Sequence, residues 1–181
     1  RLEMDPTKIK NLKLTGNITT EDYTFMRSKM TSLQRLNLKE VESVVDGVYK
    51  IPSGAFYNKK TLMKCVLPDR LERIEENAFY GTVLTGSVVL PEGLKYVSGF
   101  RETKITSVQF PSTLEVIGNS AFDRCSSLMC EINLPESIKL IEDSAFNSTG
   151  IKGNLSLPHN LESIGSSAFY GCRNLTGSLV I

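Results

Sequence analysis

The 181-residue sequence predicts a solenoid, in which similar coils stack so that their strands form a parallel β-sheet, with short strands and turns on the opposite side and a small α-helical cap at the N-terminus. Three observations predict it. Six of the eight phenylalanines recur at intervals of 21 to 24 residues, a proline closes most units, and the apolar residues between them keep fixed offsets. A constant period in the range of 20–50 residues is the sequence signature of stacked-repeat architectures.

The repeat unit is clearest from Leu114 to Pro135, which reads LEVIGNSAFDRCSSLMCEINLP. Its landmarks recur through the chain as Phe56, Phe79, Phe100, Phe122, Phe146 and Phe169, and as Pro68, Pro91, Pro111, Pro135 and Pro158. Five of these phenylalanines follow an alanine, and an isoleucine stands four residues before each alanine. The third unit is shortened before Phe100, and the first carries an insertion over residues 39–47. We expect loops to absorb such length changes while the buried positions keep their register.

The strand of each unit alternates between apolar and polar residues, as in Ile132-Asn133-Leu134 and Leu155-Ser156-Leu157. The two apolar side chains should point inward and the middle one outward. One such strand cannot bury its inner face alone, so stacked copies should form a parallel sheet at a spacing of about 4.8 Å. The Leu-x-x-Ile segment predicts a second, shorter extended segment on the opposite side. The alanine permits close approach of the next coil, and the phenylalanine fills the interior.

Residues 1–32 do not follow the repeat and are predicted to form a cap made of a short strand and a helix. Leu12 and Leu14 flank Lys13 as in a strand, and Gly16-Asn17 predicts a turn after it. Thr19 or Thr20 is suited to cap a short helix at its N-terminus. Its face with Tyr23, Met26 and Met30 should cover the open end of the solenoid, since terminal units of such arrays are atypical.

Residues 33–181 are predicted to hold about six to seven leucine-rich units of 20–24 residues. The spacing places the next proline at position 182, so the array is expected to continue beyond Ile181. At the other end the chain begins at Arg1 without an initiator methionine. Either a removed secretory signal or a fragment boundary accounts for this start.

Composition and charge argue against several classes of function. The chain has 21 basic and 20 acidic residues and no basic stripe, so nucleic-acid binding is not expected. No apolar run approaches the ~20 residues of a membrane span. His159, the only histidine, lies in a turn without an obvious carboxylate partner, and the four cysteines include no CxxC pair. No enzymatic activity, cofactor or metal is therefore expected.

The four cysteines are expected to be buried free thiols. Cys125 and Cys172 occupy the same repeat position two coils apart, roughly 9–10 Å at strand spacing, which exceeds the reach of a disulfide. Cys65 takes an inward strand position as a small apolar residue. Cys125 and Cys130, neighbours in one coil, form the pair that has a geometric chance of bridging.

The motif LxxIxxxAFxxCxxLxxIxLP resembles the BspA-type leucine-rich repeat of bacterial surface proteins from the Bacteroides group and their relatives. The resemblance covers residues 33–181, and the unit from Leu114 to Pro135 matches it throughout. It is looser for residues 12–38. The resemblance implies a curved leucine-rich-repeat solenoid with the parallel sheet on its concave face. It also implies secretion to the cell surface, no catalysis, and adhesion to host or microbial proteins.

The outward side chains of the main sheet are the predicted binding face, because solenoids commonly bind partners along this concave surface. We call this set the outward row: Arg35, Asn37, Lys64, Val66, Ser87, Val89, Ser107, Gln109, Glu131, Asn133, Asn154, Ser156, Ser178 and Val180. It has small polar groups, few charges and no aromatic anchor. Tyr57, Tyr80 and Tyr170 should share a different edge, either for recognition or to cover the phenylalanines.

Two functions remain open on these residues. The first is adhesion or binding to a protein, such as a host extracellular-matrix protein or a microbial surface protein, with no indicated oligomeric state. The alternative is a structural spacer array without a ligand of its own. Glycan capture would need exposed aromatic platforms, which the outward row lacks. An exposed apolar patch would favour binding, whereas a uniformly polar face would favour the spacer.

Overall fold

The computed structural model describes residues 4–176 and shows a β-solenoid built from short parallel strands, which confirms the predicted fold class. A short 3-10 helix, Pro6–Lys8, precedes the first strand. The remaining elements are β1 (Asn11–Ile18), α1 (Thr20–Ser28), β2 (Arg35–Val45), β3 (Val48–Ile51), β4 (Lys64–Val66), β5 (Arg73–Ile74), β6 (Thr85–Val89), β7 (Tyr96–Val97), β8 (Lys104–Gln109), β9 (Val116–Ile117), β10 (Leu140–Ile141), β11 (Lys152–Asn154), β12 (Ser163–Ile164) and β13 (Asn174–Thr176).

The Leu-x-x-Ile segments form a continuous parallel ladder on one side, which we call the spine. It consists of β3, β5, β7, β9, β10 and β12, in that order. The aligned apolar residues are Ile51, Ile74, Val97, Ile117, Ile141 and Ile164. Most of them are fully buried. The predicted second extended segment is therefore confirmed, and it carries the unbroken hydrogen-bonded ladder of the fold.

The six repeated phenylalanines form a stack through the interior. Successive ring centroids lie 5.1 to 5.7 Å apart, and the ring planes differ by 2° to 18°. Between coils, the N–H of each phenylalanine donates to the carbonyl that precedes the next one, as from Phe122 to Ala145 at 2.8 Å. Gly99 replaces alanine beside Phe100, where a Cβ would lie 2.7 Å from Cγ2 of Ile74. The stack is the core around which each coil winds.

Left-handed residues turn the chain around each phenylalanine. Positive φ angles recur two residues before it, at Gly54, Asn77, Ser120, Ser144 and Ser167, and two residues after it, at Asn58, Gly81, Glu102, Arg124, Ser148 and Gly171. Beside the stack, N–H groups donate to the following coil, as from Arg124 to Asn147 at 2.8 Å. At the spine, N–H groups such as that of Glu115 donate to the preceding coil, here to Lys95 at 3.0 Å.

The sheet that carries the outward row is split into three parts: β1-β2-β4, β6-β8 and β11-β13. The strands predicted at Ile132-Asn133-Leu134 and Leu155-Ser156-Leu157 are wrong in their hydrogen bonding, since residues 131–134 and 155–157 do not belong to any strand. Ile132 and Leu155 are nevertheless buried, and Asn133 and Ser156 are exposed, as expected. The longer repeat form adds one residue, which is Gly86 or Gly153 with φ near +85° and +83°. In the unit of residues 128–134, Cys130 takes the place of this glycine and does not adopt the left-handed conformation. The segment therefore cannot form the same bulge.

Two local expectations near the N-terminus are wrong. Gly16-Asn17 does not form a turn, because β1 continues through it to Ile18 and pairs in parallel with β2. The register shifts between Lys13 and Thr15, where β2 has one residue more than β1. Gly16, in the next part of β1, has a φ of +79°. The insertion at residues 39–47 is not a loop. It extends β2 and joins β3 in an antiparallel hairpin through Asp46-Gly47, whose φ angles of 53° and 78° suit a type I′ turn.

Helix α1 covers the N-terminal end of the phenylalanine stack, as the apolar face predicts. Thr19 is the residue before the helix, and its N–H and hydroxyl both donate to the Asp22 carboxylate, at 2.8 and 3.0 Å. Tyr23 is buried with its ring edge-on to Phe56 at 5.6 Å, and its hydroxyl lies 2.8 Å from Oγ of Ser43. The cap is thus joined to the array by both packing and hydrogen bonds.

A buried lysine fixes the other end of the helix. Lys59 Nζ donates to the carbonyl oxygens of Met30 at 2.7 Å and Arg27 at 3.2 Å, close to the C-terminus of α1. Its side chain stands three residues after Phe56, at a position that holds threonine or cysteine in the later coils. A cation near a helix C-terminus is electrostatically favourable. The irregular residue at this repeat position therefore serves the cap.

Candidate interaction surface

The predicted outward row lies on the surface of the split sheet. Its members between Arg35 and Ser156 are exposed, apart from Asn37 and Ser107, which are half-buried. Ser178 and Val180 lie outside the described residues. The cap adds to this surface in a way that the repeat pattern did not indicate, because β1 pairs with β2 and aligns Lys13 with Asn37. The row therefore begins one strand earlier than predicted.

The two ends of the outward row differ in chemistry. Its C-terminal part, from Glu131 to Ser156, is polar. On β4 and β6, by contrast, Val66 is 47% and Val89 is 61% exposed. The row is therefore not uniformly polar, and its apolar part belongs to adjacent coils.

A cleft of about 200 Å³ lies beside these side chains, between β4 and β6. The two strands are not paired, and the N–H of Thr85 donates to the Met63 carbonyl at 3.1 Å where the chains enter them. The lining includes Cys65, Leu67, Leu84, Val88, Phe79 and Phe100. The cleft thus leads from the outward row to the phenylalanine stack.

Two features of the sequence open this cleft. The unit of β4 has the short strand form, whereas the unit of β6 has one extra residue and a left-handed Gly86, so the two strands do not match in length. Cys65 is also the smallest side chain at its inward position. The equivalent residues in neighbouring coils are Leu36, Val88, Val108, Ile132 and Leu155. A short side chain next to a strand mismatch leaves unfilled apolar space.

Two cations lie at or near the cleft on the outward row: Lys64 lines it, and Arg35 is one strand farther away. Arg35 on β2 stands opposite Lys64 on β4 in the parallel register. Within the described part of the chain, neither side chain forms an ion pair with a carboxylate within 4.0 Å, whereas Lys13 contacts Glu40 at 2.7 Å. Like charges directly opposite each other on a sheet are destabilising. The surface thus combines uncompensated positive charge with an apolar opening, and it can attract carboxylates while burying an apolar group.

All four cysteines carry free thiols, and they differ in burial. Cys125 and Cys172 are buried, whereas Cys65 and Cys130 are half-buried, which corrects the expectation that all four are inside. Cys125 Sγ donates to the Phe100 carbonyl at 2.9 Å, and Cys172 Sγ donates to the Phe146 carbonyl at 3.0 Å. Burial raises the pKa of Cys125 to about 11 and that of Cys65 to about 12. These thiols are packing groups rather than nucleophiles.

The buried thiols predict a loss of stability at alkaline pH. Burial raises the pKa of Cys125 to about 11, against an ordinary value of 9.0. The contribution of the protonated thiol to the free energy of unfolding is therefore complete below pH 9 and is lost as the pH rises through 11. Each such thiol lowers the free energy of unfolding by up to ~1.4 kcal/mol per pH unit in this window. Urea unfolding at pH 8, 9, 10 and 11 should show a shallower decline for Cys125→Val than for the wild type. Equal slopes would contradict a buried, protonated Cys125.

The tyrosine edge is a separate polar and aromatic surface. Tyr57 and Tyr80 stack with their ring centroids 4.9 Å apart, and the Arg101 guanidinium lies 5.3 Å from the Tyr80 centroid on the next coil. Arg101 Nε is 3.0 Å from Oδ2 of Asp123. Burial raises the pKa of Asp123, and the positive charge of Arg101 opposes that rise. Tyr170, 71% exposed, stands apart from this stacked group.

Between residues 4 and 176, histidine, cysteine, aspartate and glutamate side chains nowhere gather in groups of three or more suited to a metal ion. Both helices in that range are too short and too polar to cross a bilayer. His159 is exposed, and its backbone N–H donates to Glu136 Oε2 at 3.0 Å.

The stacked coils and the spine define the chain as a leucine-rich-repeat protein, a class whose members generally bind other proteins and lack catalytic activity. A family model for the BspA type leucine rich repeat region matches residues 49–176 in six copies. The chain belongs to this BspA-type family, which confirms the resemblance of the repeat motif.

A solved structure of a bacterial leucine-rich-repeat protein shares this fold. A leucine-rich repeat protein of T. pallidum superposes with a TM-score of 0.63 at 25% identity, over 88% of this chain and 72% of that one. A protein of Bacteroides ovatus gives a TM-score of 0.49 at 21% identity, over 94% and 49% of the two chains. A protein of Faecalibacterium prausnitzii, described as a leucine rich cell surface protein, gives 0.37 at 18%, over 92% and 76%. Comparison with curated proteins gives no match.

Proposed function

We propose that the chain is a non-catalytic module that binds another protein through the outward row, at the cell surface or outside the cell. The partner class is a host extracellular-matrix protein or a microbial surface protein. Membership of the BspA-type family supports a binding role, since leucine-rich-repeat domains typically bind proteins. In this proposal residues 1–32 act as the cap and residues 33–181 as the repeat array.

One observation carries the proposal: the exposure of Val66 and Val89 on adjacent coils, beside an apolar cleft. Burial of such side chains against a partner is favourable by roughly 25 cal/mol per Å² of apolar surface. This apolar part of the row favours binding, whereas a spacer would be expected to have a uniformly polar face. Binding energy concentrates in a few well-packed side chains, so a small apolar centre with a polar rim is sufficient.

The spacer function has one observation in its favour, namely the polar C-terminal part of the row. Asn133, Asn154 and Ser156 are exposed and offer hydrogen bonds that water satisfies equally well. The C-terminal coils would then serve as a spacer that holds the apolar part of the row at a distance. In that arrangement the array is spacer and binding module at once, with the contacts confined to β4 and β6.

The proposal is tested with aspartate substitutions at the two ends of the row. Wild-type chain, Val66→Asp/Val89→Asp and the matched control Asn133→Asp/Ser156→Asp are immobilised and probed by biolayer interferometry with purified extracellular-matrix proteins and isolated bacterial surface proteins. We expect the valine variant to weaken the wild-type interactions by at least about 30-fold, as for a central contact worth 2 kcal/mol, and the control to retain them.

Circular dichroism melts identify any variant that has lost its fold. Equal binding by the wild type and the folded valine variant would exclude the outward row of β4 and β6 as the binding face. Binding by none of the three proteins to either set of probes would favour the spacer function.

A further inference from the structure

We propose that the partner binds the cleft between β4 and β6 with an acidic segment, which inserts one apolar side chain and places carboxylates against Arg35 and Lys64. This inference rests on the proposed function and specifies its partner chemistry. Three observations support it: the volume of the cleft, the positive charges near it, and the spacing between the charged and apolar side chains along β4.

The volume of the cleft fits one apolar side chain. An apolar protein cavity of about 150 Å³ holds a benzene molecule, and the cleft here measures about 200 Å³. Its lining combines the apolar side chains of Leu67, Leu84 and Val88 beside the phenylalanine stack with polar groups nearer the surface, from Lys64, Thr85 and Ser87. The exposed residues Val66 and Ser87 belong to its lining, so the cleft opens on the surface of the outward row. A leucine- or phenylalanine-sized group can therefore enter without displacing a coil.

The charges favour an acidic partner over a basic one. Arg35 and Lys64 lie opposite each other without ion pairs to carboxylates of residues 4–176, while the third cation of this surface, Lys13, is already paired with Glu40. Glu131 is the single carboxylate among the outward-row residues. It comes after β8 in the chain, in a later coil than the β4 and β6 strands that border the cleft. Carboxylates from a partner would relieve the repulsion between the two cations. The arginine fork also offers bidentate geometry to one of them.

The strand geometry sets the pattern of the segment. Lys64 and Val66 are outward residues of the same strand, so their side chains are separated by about 6.6 Å, or two residues. An extended partner segment has the same period. The sequence that fits is therefore an apolar residue with aspartate or glutamate two positions away, and with further acidic residues nearby.

A set of matched peptides tests this chemistry directly. The probe is a fluorescein-labelled nonapeptide with leucine at the centre and aspartate or glutamate at the other eight positions. One control peptide has serine in place of leucine, and a second has asparagine and glutamine in place of all carboxylates. Fluorescence anisotropy titrations at constant ionic strength give the dissociation constants for the full chain.

Three variants locate the site. Arg35→Glu/Lys64→Glu reverses the two cations, and Lys152→Glu/Arg173→Glu makes the same change of net charge at exposed residues of the C-terminal coils. Cys65→Leu fills the cleft from its wall. We expect the acidic leucine peptide to bind the wild type and the Lys152/Arg173 variant alike. It should bind the Arg35/Lys64 variant and the Cys65→Leu variant at least about tenfold more weakly.

The outcomes separate this inference from the proposed function. Absence of binding by the acidic leucine peptide, equal binding of the serine or uncharged peptide, or equal loss in both charge variants would overturn the acidic-segment proposal. The protein-binding function would still stand if Val66→Asp/Val89→Asp lost interactions with the surface proteins. If those interactions were unaffected while the peptide bound at Arg35 and Lys64, the cleft would not be the site of the surface-protein partner, and the inference would be overturned.

Discussion

Replacing Phe122 by alanine is expected to lower the free energy of unfolding by roughly 3–5 kcal/mol, because it leaves a cavity in the middle of the phenylalanine stack. Phe122 is fully buried, with Phe100 at 5.7 Å and Phe146 at 5.4 Å between ring centroids, and Phe110 meets its edge at 5.9 Å. In a solenoid each coil contacts only its neighbours, so the loss weakens two interfaces at once. Urea unfolding followed by far-UV circular dichroism measures the effect.

Two controls belong with this experiment. Phe25, on the cap helix, is 47% exposed, and Phe25→Ala should change stability by no more than about 0.5 kcal/mol. Phe122→Leu keeps most of the apolar volume and should fall between the two. A loss for Phe122→Ala no larger than that for Phe25→Ala would mean that the stack does not hold the coils together.

Replacing Lys59 by methionine is expected to destabilise the cap by roughly 1–3 kcal/mol, because the carbonyl oxygens of Met30 and Arg27 both lose the ammonium donor and Met30 keeps only the N–H of Leu33. Lys59 is only 6% exposed, and burial lowers the pKa of its ammonium group. The hydrogen bonds to Met30 and Arg27 offset that cost. Methionine preserves the length of the side chain but supplies no N–H, so the effect isolates the donor.

The matched control is Lys60→Met, one residue along. Lys60 is exposed, and its Nζ donates to the Gly81 carbonyl at 2.6 Å, so its removal should cost less than about 1 kcal/mol. Hydrogen exchange of the α1 amides provides a local measurement. Faster exchange in Lys59→Met, with unchanged exchange at the spine, is the expected pattern. Uniformly faster exchange in all coils would instead assign Lys59 to the stability of the whole array.

The repeated positions of the fold could be predicted from the sequence, because burial imposes the same residue type in every coil. The phenylalanine stack and the Leu-x-x-Ile ladder both follow from spacing alone. Residues 39–47 were not predicted as a hairpin, although Asp46-Gly47 is a strong signal for a type I′ turn. The interruption at Cys130 depends on one residue in a position that otherwise calls for glycine. Such single exceptions are hidden by a pattern that averages over repeats.

The candidate site was only partly predictable for the same reason. The outward positions of Val66 and Val89 follow from strand alternation. The cleft does not, because it requires both a mismatch between two strands and the small volume of Cys65 beside it. Lys59 appeared in the sequence as a departure from the threonine or cysteine at its repeat position. Its role as a donor to the helix end depends on a contact between residues 29 and 32 positions apart in the chain.

The opposite directions of the inter-coil hydrogen bonds have an electrostatic consequence for the length of the array. Beside the phenylalanine stack the inter-coil donors face the following coil, and at the residues that flank each spine strand they face the preceding one. The peptide dipoles on the two sides therefore oppose each other, unlike those of an α-helix, which add along the axis. Adding coils therefore lengthens the array without aligning all of its peptide dipoles in one direction.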